Sequence, residues 1–146
     1  LPLLPADTWP EAAERAGASE QLATAAAIIT KPELQHLFAP GTLAEVDVSA
    51  HLPEAPRARL RGSVDRLVVT AEQVLAVDFK SNQRVPMAAA DVPEGILRQM
   101  GAYASVLSLI YPHKRVKTAI LWTQTATLME LDHRSVIEAL QRAALP

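Results

Sequence analysis

Two neighbouring segments, GSVDRLVV (62–69) and VLAVDFKSN (74–82), decide the fold class of this chain. Their apolar and polar residues follow the two-residue period of β-strands. The short connection at 71–72 joins them, so the pair is predicted to form an antiparallel hairpin. Because side chains two positions apart on a strand share a face, Asp78 and Lys80 are expected to be neighbours on one face of the sheet.

The opposite face of the second segment carries Leu75, Val77 and Phe79, and it is predicted to face the core. In the first segment, strict alternation places Asp65 on one face, and both Val64 and Arg66 on the other.

The hairpin register brings two carboxylates together. If the turn centres between positions 71 and 72, Asp65 lies directly opposite Asp78, where like charges repel. A divalent cation between the carboxylates would remove this conflict, since Mg²⁺ binds one or two carboxylates together with water and phosphate oxygens. Lys80 on the same face would stabilise developing charge or orient an attacking water. The alternative is a solvated face on which Asp65 pairs with Arg66 or Lys80 without metal.

The rest of the chain predicts helices before and after these strands. Residues 10–38 are helical in character, with a break between Gly17 and Ser19 and with Pro32 in a first helical turn. The remaining predicted elements, in chain order, are a turn (39–42), a strand (42–52), a Pro-interrupted loop (53–58), a helix (94–112) that Asp91 caps and Pro112 ends, two strands (117–124 and 126–132) and a closing helix (133–145) that starts near Asp132. This order predicts an α+β (mixed α/β) fold with one central mixed sheet, an antiparallel β-meander and flanking helices.

Composition is that of one ordinary domain, with 49% hydrophobic and 21% charged residues among 146. We divide it into N-terminal helices (1–38), a core (43–132) and a C-terminal helix (133–146). No apolar run approaches the length of a membrane span, and no partner membrane is expected. The chain has no cysteine and no secretory signal, so a cytoplasmic location is expected.

The net charge of −2 conceals an asymmetry. Residues 57–117 hold ten Lys and Arg against five Asp and Glu, whereas the remainder holds four against eleven. A polyanion would therefore be drawn to the middle of the chain. Ordinary scatter of surface charge explains the same numbers equally well.

The pattern G-x-V-D-R-L, then V-L-A-V-D-F-K-S, then a helix bearing Q-M-x-A-Y, resembles the RecB-like branch of the PD-(D/E)xK nucleases. The resemblance extends from about residue 38 to residue 131. It is greatest to the C-terminal nuclease domain of AddA-type helicase–nucleases of alphaproteobacteria, which act in double-strand break repair and recombination. It implies a restriction-endonuclease-like core and Mg²⁺-dependent (or Mn²⁺-dependent) hydrolysis of DNA phosphodiester bonds.

Residue by residue, the resemblance implies that Asp65 and Asp78 bind metal and that Lys80 is the catalytic lysine. It also implies that Glu45, on the first strand of the meander, supports the metal or its water, and the backbone carbonyl of Phe79 is a further candidate ligand.

The resemblance also implies a second set of residues, around the metal site. Gln99 and Tyr103 match a Q-x-x-x-Y helix motif and lie on one helix face, where they either touch DNA phosphates or brace the lysine. Arg66 and Ser81 are candidate substrate contacts.

The expected partners are DNA, helicase domains of the same polypeptide and an AddB-like subunit. Related nucleases carry a further metal-site His on an upstream helix, which this chain lacks; as an excised piece it is expected to be weakly active or inactive alone. Two alternatives remain: a non-catalytic DNA-binding or scaffolding module of the same fold, and a stand-alone phage-type exonuclease.

Overall fold

The computed structural model describes residues 19–53 and 55–144, and its elements follow the predicted order. The helix expected before Gly17 lies outside the described residues. The described elements are α1 (Ser19–Thr30), a 3-10 helix (Pro32–Leu37), β1 (Leu43–Leu52), β2 (Ala55–Val69), β3 (Gln73–Lys80), a second 3-10 helix (Ala89–Asp91), α2 (Glu94–Ile110), β4 (Arg115–Trp122), β5 (Thr127–Leu131) and α3 (His133–Ala144).

The five strands form one mixed sheet in the order β1-β2-β3-β4-β5. All neighbours are antiparallel except β3 and β4, which are parallel along their full lengths. A parallel pair needs a crossover connection, and α2 supplies it. The predicted central mixed sheet and its antiparallel β1-β2-β3 meander are therefore confirmed, and so is the mixed α/β fold class.

Strand β3 is buried on both faces. Val74 and Ala76 belong to the larger core cluster, which packs under α2 and α3, and neither is exposed. Leu75 and Val77, with the partly buried Phe79, belong to a second cluster that includes residues of α1 and the first 3-10 helix. The predicted core-facing side of β3 is confirmed, and the other side is also apolar until Asp78.

The predicted loop 53–58 is wrong in part, because β2 begins at Ala55 and runs for 15 residues. It pairs with β1 at Ala55 and again over residues 59–67, with a register shift between the two stretches and no pair at Asp65, while β3 pairs only with residues 66–69. Pro56 lies in this register shift, and an irregularity in the pairing is one of the places where a strand accommodates a proline. Pro56 therefore does not end the strand.

The predicted cap of α2 is wrong. Pro93, not Asp91, occupies the N-cap position, and Asp91 ends the short 3-10 helix before it. The helix ends at Ile110 because Pro112 forces Tyr111 out of the helical region, to φ −120° and ψ 68°. No helix in the described ranges is long and apolar enough to cross a membrane.

The predicted start of the closing helix is confirmed. Asp132 precedes α3, and its Oδ2 accepts a hydrogen bond of 3.0 Å from the backbone N–H of Ser135. This bond satisfies one of the N–H groups that a helix leaves open at its first turn.

Candidate active site

The β2–β3 hairpin has the predicted register. Arg66 lies opposite Val77, and the pairing continues regularly to Val69 opposite Val74. The regular pairing stops one step before Asp65 and Asp78. In place of a backbone pair, Oδ2 of Asp65 accepts a hydrogen bond of 2.7 Å from the backbone N–H of Phe79. The Asp65 carboxylate therefore reaches across to β3 beside Asp78.

Strict alternation breaks at Asp65, contrary to the sequence prediction that Val64 and Arg66 share a face. Val64 is fully buried in the cluster under α2, whereas the Arg66 side chain reaches Leu37 on the other side of the sheet. Pairing with β1 passes from Ala44–Arg66 to Val46–Val64 without a pair between them. The strand changes facing at this interruption, so Val64 packs on the α2 side of the sheet, the side to which alternation from Arg66 already assigns Asp65 and Asp78.

Asp78 and Lys80 form a close ion pair at the end of β3. Lys80 Nζ lies 2.7 Å from Asp78 Oδ2, with side-chain exposures of 24% and 5%. That oxygen nevertheless accepts no hydrogen bond of regular geometry. Burial raises the pKa of the Asp78 carboxyl, and the Asp65 charge adds to this rise although Lys80 opposes it. Two carboxylates and one ammonium group thus share a desolvated corner.

A hydrogen-bonded chain ties Lys80 to the rest of the fold. Lys80 Nζ donates to Gln99 Oε1 at 3.1 Å, and Gln99 Nε2 donates to the hydroxyl of Tyr103 at 3.0 Å. Tyr103 in turn donates to the backbone carbonyl of Ser63 at 3.0 Å. Burial raises the pKa of Tyr103, and the Asp78 and Asp65 charges add to this rise, so the phenol stays protonated and remains a donor. Gln99 thus contacts the lysine directly and Tyr103 does so through Gln99, as a brace for the lysine would, while contact of the two residues with DNA phosphates stays a prediction.

Sequence reasoning missed the part that Gly62 plays. A Cβ on Gly62 would lie 3.1 Å from Cε1 of Tyr103, closer than most real contacts. The ring therefore rests directly on the β2 backbone, next to the Ser63 carbonyl that its hydroxyl meets. An isolated glycine inside a strand pattern is a signal of close approach by another group, and it marks this position.

Glu45 lies on β1 between the two residues that pair with Arg66 and Val64, which is the register position of Asp65. Its φ of 51° is in the left-handed region, where a residue with a Cβ is strained. Its side chain is exposed. Among residues 19–53 and 55–144, no three acidic, His or Cys side chains are grouped to hold a metal ion. The structure thus places Glu45 at the register position of Asp65 without grouping its side chain with the two aspartates.

Arg66 does not pair with Asp65, one of the two contacts expected from the sequence. Its Nε donates to the Leu37 carbonyl at 2.7 Å and its Nη2 donates to Thr42 Oγ1 at 3.0 Å. Its guanidinium also lies 5.1 Å from the centroid of the Phe38 ring. These contacts lie on the face of the sheet away from Lys80, so the Arg66 side chain lies beside neither Asp65 nor Lys80.

Ser81 follows β3 directly and is exposed, as are Asn82 and Arg84 in the loop behind it and Arg98 on α2. Their positions near the end of β3 and the start of α2 leave them accessible to a ligand at the site. Trp122, in contrast, is fully buried, which agrees with the prediction that it belongs to the core.

The residues present fit a divalent cation. Asp65 and Asp78 offer hard carboxylate oxygens, and two carboxylates suffice for Mg²⁺ when water and phosphate complete the shell. The buried Oδ2 of Asp78 has an unfilled hydrogen-bonding capacity, and the neighbouring charges of the same sign favour a cation between them. Phe79 is the chain neighbour of both Asp78 and Lys80, and its backbone carbonyl therefore stays a candidate ligand for the cation.

The mixed sheet with helices on its two faces is a restriction-endonuclease-like fold. The chain belongs to the PD-(D/E)XK nuclease superfamily, whose model matches residues 4–144. Members of this superfamily are generally nucleases and typically use divalent metals.

Among solved structures, the chain is similar to the crystal structure of SSO0001, with 12% sequence identity and a TM-score of 0.45. That similarity covers 83% of this chain and 64% of the other. A search of curated proteins found no match to the chain.

Proposed function

We propose that this chain is a Mg²⁺-dependent or Mn²⁺-dependent deoxyribonuclease that hydrolyses DNA phosphodiester bonds. The observation that carries the proposal is the corner at the end of β3. There Asp78 and Lys80 lie 2.7 Å apart, Asp65 reaches the adjacent backbone N–H, and Gln99 holds the lysine from α2. Membership of the nuclease superfamily supports this assignment.

Asp65 and Asp78 would hold the cation, with the Phe79 carbonyl and Glu45 as further candidate ligands. A bound divalent cation lowers the pKa of water and offsets negative charge on a phosphoryl group. Asp78 is suited to this role because its carboxylate is already desolvated and faces a second carboxylate, so a cation relieves both costs.

Lys80 would act on the attacking water and on the charge that develops at phosphorus. Its ammonium group is held between Asp78 and Gln99, so its direction is set before substrate arrives. Preorganised donors of this kind stabilise a transition state without reorganising during the reaction.

Basic residues of the chain's middle, with Ser81 at the end of β3, would contact the DNA backbone. The small basic excess there supports modest affinity only. We infer that helicase domains of the same polypeptide and an AddB-like subunit supply the strand in a cytoplasmic double-strand-break repair machine of the AddA type. Support for these finer assignments comes from the sequence motifs.

The test is cleavage of end-labelled single-stranded DNA, at enzyme excess, with Mg²⁺ or Mn²⁺ and with EDTA. Cleavage should require the metal, and Asp78→Ala and Lys80→Ala should each slow it by about 100-fold or more. Glu94→Ala and Arg142→Ala, which break an exposed ion pair elsewhere, should cut like the unmodified chain.

Equal cleavage by the Asp78 and Lys80 variants would show that the site is wrong. Binding of DNA with no metal-dependent cleavage, even with an AddB-like subunit present, would favour a scaffolding module of the same fold.

A further inference from the structure

We propose that Arg66 is a positioning residue that fixes the Asp65 carboxylate, and that it does not bind DNA phosphate. The inference rests on the proposed function, because it assigns a role for Asp65 in the metal site. Arg66 directly follows Asp65 in the sequence motif, but its side chain lies on the opposite face of the sheet from Lys80.

The first step is that regular strand pairing does not hold Asp65. Pairing of β2 with β1 omits a pair between Glu45 and Asp65, and pairing of β2 with β3 ends at Arg66 opposite Val77. On its β1 side, Asp65 meets a residue with a φ of 51°. Asp65 therefore lies at a gap in both ladders, where its backbone position depends on its neighbours.

The second step is that Arg66 is the adjacent anchored residue. It is the last β2 residue in register with β3, and its partly buried guanidinium bonds Leu37 and Thr42 while it stacks over Phe38. The planar fork of arginine satisfies two acceptors in fixed directions, which a lysine ammonium on a flexible stem does not. The side chain thus locks β2 to the segment that leads into β1.

The third step is that this anchor extends to the metal-site strand. The Phe38 ring lies 6.3 Å from the Phe79 ring, centroid to centroid. Phe79 is the residue whose backbone N–H bonds Asp65 Oδ2, and it lies between Asp78 and Lys80. One face of the sheet therefore carries Arg66, Phe38 and Phe79 as a packed unit. Its two strand residues, Arg66 and Phe79, are the direct chain neighbours of Asp65, Asp78 and Lys80.

The experiment compares Arg66→Lys with Arg61→Lys, an exposed arginine on the same strand, in the 146-residue chain. The first readout is hydrogen exchange of the Phe79 amide, measured by NMR without metal or DNA. Arg66→Lys should speed this exchange by about fivefold or more, since the Asp65 bond is loosened. The second readout is Mn²⁺ affinity by EPR, which should weaken by about tenfold. Arg61→Lys should change neither.

Thr42→Val removes one of the two acceptors while keeping the shape of the side chain. It should move both readouts in the same direction by a smaller factor, and it tests the proposal if Arg66→Lys does not fold. DNA affinity in EDTA should be unchanged in both variants.

The opposite pattern would overturn the proposal: unchanged Phe79 exchange and Mn²⁺ affinity in both variants, or a loss of DNA affinity in EDTA. The exchange readout needs neither cleavage nor metal. A chain that fails to cut DNA even with an AddB-like subunit present would therefore contradict the proposed function while leaving this test decisive.

Discussion

Two ion pairs in this molecule have the same shortest N–O distance, but the pKa values of their carboxyl groups are shifted in opposite directions. Lys80 Nζ lies 2.7 Å from Asp78 at the end of β3, and Arg142 Nε lies 2.7 Å from Glu94 between α3 and α2. The Asp78 side chain is 5% exposed and that of Glu94 is 45% exposed. Burial raises the pKa of Asp78, whereas hydrogen bonds from Arg142 lower the pKa of Glu94.

The difference shows that distance alone does not measure what an ion pair contributes. The Arg142–Glu94 pair is a two-pronged surface contact that favours the charged carboxylate. The Asp78 carboxylate stays costly despite its partner, because it is desolvated and faces Asp65. A carboxylate kept at such a cost in β3, a strand whose other buried residues are Val, Leu and Ala, is typical of a functional site.

The largest expected effect comes from removing the lysine of the buried pair. Lys80→Met preserves the length of the side chain and leaves Asp78 without a neutralising charge. We expect a loss of about 2 kcal/mol in the free energy of unfolding, below the full value for a buried pair because Lys80 is partly exposed. Urea denaturation at pH 7 in EDTA measures it. Arg142→Met, the matched change at the surface, should lower the free energy of unfolding by clearly less. Equal losses in the two variants would contradict the difference between the buried and the exposed pair.

The next largest effect comes from neutralising each carboxylate. The free energy of unfolding at pH 7 should rise for the change at Asp78 and fall for the change at Glu94. Asp78 has a raised pKa, so its contribution to stability is greatest below the ordinary pKa of an Asp carboxyl and is lost as pH rises through the raised value. Asp78→Asn should therefore be more stable than the unmodified chain at pH 7, by about 1 kcal/mol, with a smaller gain at pH 4.

Glu94 has a lowered pKa, so its contribution is present above the ordinary pKa of a Glu carboxyl and is lost as pH falls through the lowered value. Glu94→Gln should be slightly less stable at pH 7 and approach the unmodified chain at low pH. Urea curves at both pH values, in EDTA, measure the two variants together. A destabilising Asp78→Asn at pH 7 would contradict the proposed cost of that carboxylate.

The smallest effect concerns the support behind the buried pair. Gly62→Ala places a Cβ 3.1 Å from Cε1 of Tyr103, so the ring must shift by a few tenths of an ångström. The shift is passed through Gln99 to Lys80, and we expect a cleavage rate lower by about two- to fivefold with stability changed by less than about 1 kcal/mol. Gly95→Ala, where a Cβ meets nothing within 4 Å, is the control. Slower cleavage by Gly95→Ala, or an unchanged cleavage rate in Gly62→Ala, would contradict the support of Lys80 by Tyr103 and Gln99.

The sequence by itself determined the parts of this protein that depend on local pattern. The period of two along β3 assigned Leu75 and Val77 to the core and set Asp78 beside Lys80, and the short turn determined the hairpin register. Proline and capping residues marked most helix ends, because their backbone constraints act within a few residues. They failed at Asp91, where a neighbouring proline takes the cap position, and at Pro56, which lies in a register shift of the strand pairing.

Only the tertiary structure decided how the site is assembled and supported. Gln99 meets Lys80 because α2 crosses the sheet at one particular angle and depth, which no local spacing encodes. The break in alternation at Asp65 depends on the left-handed Glu45 across the ladder, and the destination of Arg66 depends on where the segment from Leu37 to Thr42 packs. Contacts between residues far apart in sequence follow from packing of whole elements, so the motif indicated which groups matter and the fold determined which of them meet.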